Sequence, residues 1–96
     1  VPEPQGASSA SFDATRGWQL HPQVALRDED FGALAYHYGN RRLVFLKSRV
    51  LVDLVRSLGE HDSAASAISA TVAPGEQDRY AQALARLESS GIIGAR

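Results

Sequence analysis

Ala33-Leu34-Ala35-Tyr36-His37-Tyr38-Gly39-Asn40-Arg41-Arg42-Leu43-Val44-Phe45-Leu46 is the stretch whose reading decides the fold. Two runs rich in aromatic and branched residues flank a Gly-Asn pair, the pattern of a β-hairpin with a two-residue loop. Glycine at the first central position suits a type II′ turn. Such a turn pairs Tyr38 with Arg41, Tyr36 with Leu43 and Leu34 with Phe45, all on one face of the sheet. The opposite face carries Ala33, Ala35 and His37 beside Val44 and Leu46. The later strand is therefore apolar on both sides, and its second side requires a cover.

Upstream of the hairpin, Trp18, Leu20, Val24 and Leu26 share one parity of an extended chain, which predicts a first strand with Pro22 as an interruption. An acidic turn, Arg27-Asp28-Glu29-Asp30, leads into Phe31-Gly32. Downstream, Ser48 is an N-cap for a helix over 49–58, whose stripe is Leu51, Leu54, Val55 and Leu58 and whose stop is Gly59. A second, alanine-rich helix over 63–72 is capped by Asp62 or Ser63 and turns Ala65, Ile68 and Val72 inward. Ala73-Pro74-Gly75 breaks it, and a third helix over 76–90 puts Tyr80, Leu84 and Leu87 on one face before Gly91 and Ile92-Ile93. Glu76 and Asp78 complement the dipole at its start.

This order predicts an α+β domain over 18–96, a three-stranded antiparallel sheet followed by three helices. Residues 1–17 hold Pro2, Pro4, Gly6 and three serines with almost no apolar side chain except Phe12, so they read as a flexible tail.

With 96 residues, 44% hydrophobic and 22% charged, the chain has room for one small domain and little for a deep reaction cleft. A formal charge of -1 gives no excess of cations for phosphates or anionic lipid, which disfavours nucleic acid and membrane as partners. The chain has no cysteine, hence no disulfide framework and no thiolate nucleophile, which fits a cytoplasmic setting. No apolar stretch approaches the roughly 20 residues a membrane span needs, and the first residues lack the order of a secretory signal.

Chemistry-bearing patterns are sparse. His61-Asp62-Ser63 holds the residue types of a hydrolase triad, but three adjacent residues cannot line up as nucleophile, base and orienter, and a capping turn is the simpler reading. His21, His37 and His61 match no local metal-ligand spacing, and Asp28, Glu29 and Asp30 read as a solvated loop. Phosphate-binding glycine motifs are absent, so no cofactor is implied. The second and third helices form the outline of a helix-turn-helix with Arg79 and Arg86 as DNA contacts, yet Glu76, Asp78 and Glu88 offset those arginines. A DNA-binding winged-helix regulator is therefore the alternative reading.

If the three strands form a meander, residues 41–46 lie at its edge with one row of backbone groups unpaired. Such an edge is either covered by another element or used to add a strand from a partner. An open edge also allows a homodimer.

The run His21-Pro22-Gln23-Val24-Ala25-Leu26-Arg27, continued through Phe31-Gly32-Ala33-Leu34, Tyr36-His37-Tyr38 and Arg41-Arg42-Leu43-Val44-Phe45-Leu46-Lys47, closely resembles the MftB family of mycofactocin-pathway peptide chaperones. That family is similar to the PqqD-like recognition elements of pathways that modify ribosomally made peptides. The likeness spans about 18–93 in element order and is densest over 21–58. It implies a winged-helix-like arrangement in which a precursor peptide docks as an added strand along the third strand, packed against the third helix, and a radical SAM maturase engages the complex. Carried onto this chain, Leu43, Val44, Phe45 and Leu46 supply the pairing edge, and Arg79, Ala83 and Arg86, chosen by helical spacing, supply the opposite wall. Arg41 and Arg42 join Arg79 and Arg86 as contacts if the peptide is acidic. The expectation is a noncatalytic chaperone with no cofactor of its own.

Overall fold

The computed structural model describes residues 12–96. In chain order these form β1 (Trp18–Leu20), β2 (Val24–Glu29), β3 (Gly32–His37), β4 (Arg42–Leu46), α1 (Arg49–Ser57), α2 (Ala64–Thr71), α3 (Gln77–Ser89) and β5 (Ile93–Ala95), with short 3-10 turns at Leu58–Glu60 and Pro74–Glu76. The α+β class and the three helices are as the sequence predicts. The strands differ in one respect, because the expected first strand is two.

Pro22 is the reason. A turn at this point, closed by the Val24 amide donating to the His21 carbonyl at 2.9 Å, separates β1 from β2. β2 continues into the hairpin, giving a three-stranded antiparallel sheet in the order β2-β3-β4. β1 instead pairs antiparallel with β5, Trp18 opposite Ala95 and Leu20 opposite Ile93. The C-terminal Ile92-Ile93 segment thus becomes a strand that closes the domain, launched by Gly91 at φ 81° and by the Ile92 amide donating to the Leu87 carbonyl.

The hairpin register is as expected over Tyr36–Leu43 and Leu34–Phe45, but the turn is not. Tyr38 and Arg41 are not a ladder pair: they belong to a four-residue loop, 38–41, in which Arg41 and not Gly39 has positive φ, at 65°. Buried His37 dictates this wider loop. Its Nδ1 accepts from the amides of Gly39 (3.0 Å) and Asn40 (3.1 Å), while the Asn40 side-chain oxygen accepts from the Arg42 amide. His21 stacks on His37 with ring centroids 4.4 Å apart. Adding one residue to each side of the loop leaves the downstream register unchanged.

Ala33, Ala35, His37 and Leu46 form the buried face of the sheet, and α1 lies over it. Ser48 caps α1 by accepting from the Leu51 amide, and Val52, Leu54, Val55 and Leu58 enter the core. Asp28, on the same sheet face, meets Arg56 at 2.9 Å and Arg49 at 3.7 Å; both pairs are exposed and contribute about 0–1 kcal/mol. Ser63 caps α2, accepting from the Ser66 amide. Ala64, Ala67 and Ile68 are the buried side of that helix; the expected Ala65 is exposed. Tyr80, Leu84 and Leu87 of α3 complete the core together with Trp18, Ile92 and Ile93.

Of the segment expected to be a tail, residues 1–11 lie outside the described residues. Residues 12–17 pack on the domain. The Phe12 ring lies 5.0 Å from that of Trp18, the Trp18 indole donates to the Asp13 carbonyl at 2.7 Å, and the carbonyls of Ala14 and Arg16 accept from the amides of Ala65 and Ala64. Phe12 supplies the apolar area that anchors this approach, and Ala65 faces outward because the helix phase turns Ala64, Ala67 and Ile68 to the core.

Candidate functional site

Backbone directions along β4 follow from one hydrogen bond. The Tyr38 amide donates to the Gln23 carbonyl at 3.0 Å, so Tyr36 and Leu34, two and four residues away, also face β2, and His37, Ala35 and Ala33 face β4. Their partners Arg42, Val44 and Leu46 therefore spend their backbone groups on β3. Leu43 and Phe45 turn their amides and carbonyls the other way. Among the described residues no strand lies beyond β4, and no hydrogen bond from another element reaches the main chain of Leu43 or Phe45.

The side chains at this edge are as open as its backbone. Leu43 and Phe45 are 53% and 54% exposed, and Phe45 is steadied by Phe31, whose ring meets it edge-on at 5.8 Å. Leu46 is fully buried and Val44 half-buried on the helix side. The cover that the apolar second side of this strand required is thus α1, while α3 stands off from the edge.

The gap between β4 and α3 is a groove made of two adjoining cavities of about 300 and 280 Å³. Phe45, Leu51, Ala83 and Arg86 line both. The first cavity adds Lys47, Ser48, Arg79 and Tyr80, and the second adds Val44, Leu46, Leu87 and Ser90. The walls hold their distance through polar ties at both ends. Ser48 Oγ and the Tyr80 hydroxyl are 3.0 Å apart at one end, and the Asn40 side-chain amide donates to the Ser90 carbonyl at 3.4 Å at the other.

Of the residues singled out in the sequence, Val44, Phe45, Leu46, Arg79, Ala83 and Arg86 converge on this groove. Leu43 lies on the edge just outside it, and Arg41 and Arg42 sit at the hairpin end and line neither cavity. The two helix arginines differ. Arg79 is held by Glu76 at 2.6 Å and lies over the Tyr80 ring, its carbon 5.5 Å from the centroid, whereas Arg86 makes no ion pair among the described residues.

Sequence reasoning missed Lys47, Ser48, Leu51, Tyr80, Leu87 and Ser90 as groove residues. Leu51 was assigned to the core stripe of α1, and its half-buried position shows the stripe rotated so that Val52 takes the core place and Leu51 the groove floor. Helical periodicity shows only that a residue is apolar and on one side; it does not distinguish a core wall from a groove floor.

The remaining candidate chemistry is structural. Ser63 of the His61-Asp62-Ser63 run is the α2 cap, and the Arg96 guanidinium binds the carbonyls of Gly59 and His61. Among the described residues no three His, Asp or Glu side chains gather as metal ligands, and no helix is long and apolar enough to cross a membrane. Asp13 has its carboxyl held below the ordinary value of 3.8, chiefly by hydrogen bonds from the Thr15 hydroxyl and amide, with a smaller assist from Arg16.

The model of the Peptide chaperone MftB family matches residues 17–94. A Peptide chaperone MftB of Mycobacterium tuberculosis is 45% identical over 100 aligned residues, covering 100% of this chain and 92% of the relative. One from Mycolicibacterium smegmatis is 47% identical over 90 residues, covering 93% and 88%. No solved structure matches the chain.

Proposed function

This chain belongs to the Peptide chaperone MftB family, and on that premise we propose that it is a noncatalytic chaperone that takes a precursor peptide as an added strand on β4 and brings it to a radical SAM maturase. The observation that carries the reading is the pair of outward-facing residues, Leu43 and Phe45, whose backbone groups lie unpaired beside an apolar groove. An extended guest completes the sheet there, its alternate side chains entering the groove against Ala83 and Leu51 or lying on the open face beside Leu43 and Phe45.

Magnitudes suit a carrier. The amides and carbonyls of Leu43 and Phe45 offer strand bonds of about 1 kcal/mol each, and two apolar anchors add about 1.5–3 kcal/mol apiece. Association and ordering of the peptide remove at least about 4 kcal/mol, leaving micromolar or weaker affinity for the strand contact alone. A peptide held this way is released readily to a partner enzyme. The reaction centre, with its clusters and S-adenosylmethionine, belongs to that maturase.

The test is amide NMR of the labelled 96-residue chain titrated with the precursor peptide, with duplex DNA as a parallel titrant. The largest shifts are expected at Leu43, Phe45 and residues 79–87. Shifts confined to the outer side of α2, or saturable binding of DNA without a response to peptide, refute the reading.

A further inference from the structure

The charges around the β4 edge that make no ion pair among the described residues have one sign. Arg41, Arg42 and Lys47 bracket the strand, and Lys47, Arg79 and Arg86 are the ionisable side chains of cationic type in the groove lining, where no carboxylate appears. Arg41, Arg42, Lys47 and Arg86 make no ion pair among the described residues. An unprotected edge with apolar side chains ordinarily pairs with its own copy. Only registers that set outward-facing residues opposite one another can form bonds. The register that uses both bonding residues of each copy is centred on Val44. It places Leu43 opposite Phe45 of the second copy and, just beyond the ends of β4, brings Arg41 of the hairpin loop and Lys47 of the other copy to the same end of the ribbon. Like charges brought together across strands are destabilising.

We propose that these cations are the selectivity device of the edge: they oppose pairing with a second copy and select a guest strand that carries carboxylates on both sides of an apolar pair. This rests on the strand-addition reading above. The guest pattern follows from the spacing. Residues opposite Leu43 and Phe45 are apolar, and those reaching the Arg41 and Lys47 ends of the edge, two positions further out on either side, are acidic. The residues facing Leu43, Phe45 and Lys47 lie on one face of the guest because side chains alternate, and the residue at the other end is met from the loop, where Arg41 at φ 65° has left the strand. The pattern is the same read in either direction, so it holds for parallel and antiparallel docking. Arg42 and Arg86, on the helix side, favour a further carboxylate at a position between.

Charge swaps separate this from a merely structural role. Sedimentation equilibrium of the full chain is expected to show a monomer for the wild type. Lys47→Glu turns each end pair from like to opposite and raises the dimerisation constant roughly tenfold or more. Arg41→Glu with Lys47→Glu makes both end pairs acidic and returns the monomer. In parallel, NMR titrations at two salt concentrations use blocked seven-residue peptides with valine at the third and fifth positions and either glutamate or lysine at the first and seventh. The glutamate peptide is expected to shift Leu43 and Phe45 at roughly tenfold lower concentration at low salt, with the difference shrinking as salt rises. A wild-type dimer through β4, a Lys47→Glu chain no more associated than the double variant, or equal response to both peptides overturns the charge proposal and leaves strand addition standing. Silence of Leu43 and Phe45 towards these peptides and the precursor alike removes both.

Discussion

Proline placed at neighbouring positions of β4 reads out the direction of its backbone groups. The Leu43 amide faces away from β3, so Leu43→Pro removes no ladder bond, and the pre-proline residue Arg42 is already extended. The Leu43 side chain is half exposed, and the cost to folding is about 1 kcal/mol or less. For a docked peptide the same change deletes a donor worth about 1 kcal/mol. It also sets the ring against the guest carbonyl, leaving that acceptor unmet at about 1–3 kcal/mol. The sum of about 2–4 kcal/mol is a loss of affinity of roughly 30-fold or more. Val44→Pro is the mirror experiment. Its amide serves β3, so the buried Ala35 carbonyl loses its partner and the domain loses about 2–4 kcal/mol of stability. Urea unfolding reports the stability of both variants, and calorimetric titration with the precursor peptide reports affinity for Leu43→Pro. Unimpaired binding by Leu43→Pro, or equal destabilisation of the two variants, refutes the assignment of an outward-facing Leu43.

Ala83→Glu fills both halves of the groove with an anionic side chain while keeping good helix propensity; peptide affinity is expected to fall at least roughly tenfold, with stability within about 0.5 kcal/mol of wild type, by titration and urea unfolding. Tyr80→Phe removes the hydroxyl that meets Ser48 Oγ, lowering stability by about 0.5–1.5 kcal/mol and loosening the Lys47 end of the groove, seen as larger amide exchange at Ser48 and Arg49. The Asp13 carboxylate, whose folded value lies below 3.8, contributes fully above 3.8 and loses its contribution as pH falls through the lowered value. The emission of Trp18, the single tryptophan, is therefore expected to stay constant from neutrality to 3.8 and to shift only in more acidic solution, with Asp13→Asn abolishing that acid step.

By itself the amino-acid sequence determined what depends on neighbours in the chain. The alternation through Ala33 to Leu46 set the hairpin and its register, because a slip of one residue exchanges the buried alanines for Tyr36 and Phe45. Ser48, Ser63 and Gly91 marked helix ends through local backbone bonds, and the stripe of Tyr80, Leu84 and Leu87 gave the inward face of α3. What tertiary structure decided are the relations between segments distant in sequence. Ile93–Ala95 finds β1 because both are apolar and extended, a pairing with no signature in either segment. The loop at 38–41 widens because a buried His37 offers its ring nitrogen to two amides, and His21 and the Gly91 turn, distant in sequence, pack against that ring. Leu51 becomes a groove floor only because α3 stands beside β4 at a distance fixed by Tyr80 and Asn40. Periodicity specifies which faces are apolar, but an apolar face left uncovered is a property of how the elements meet.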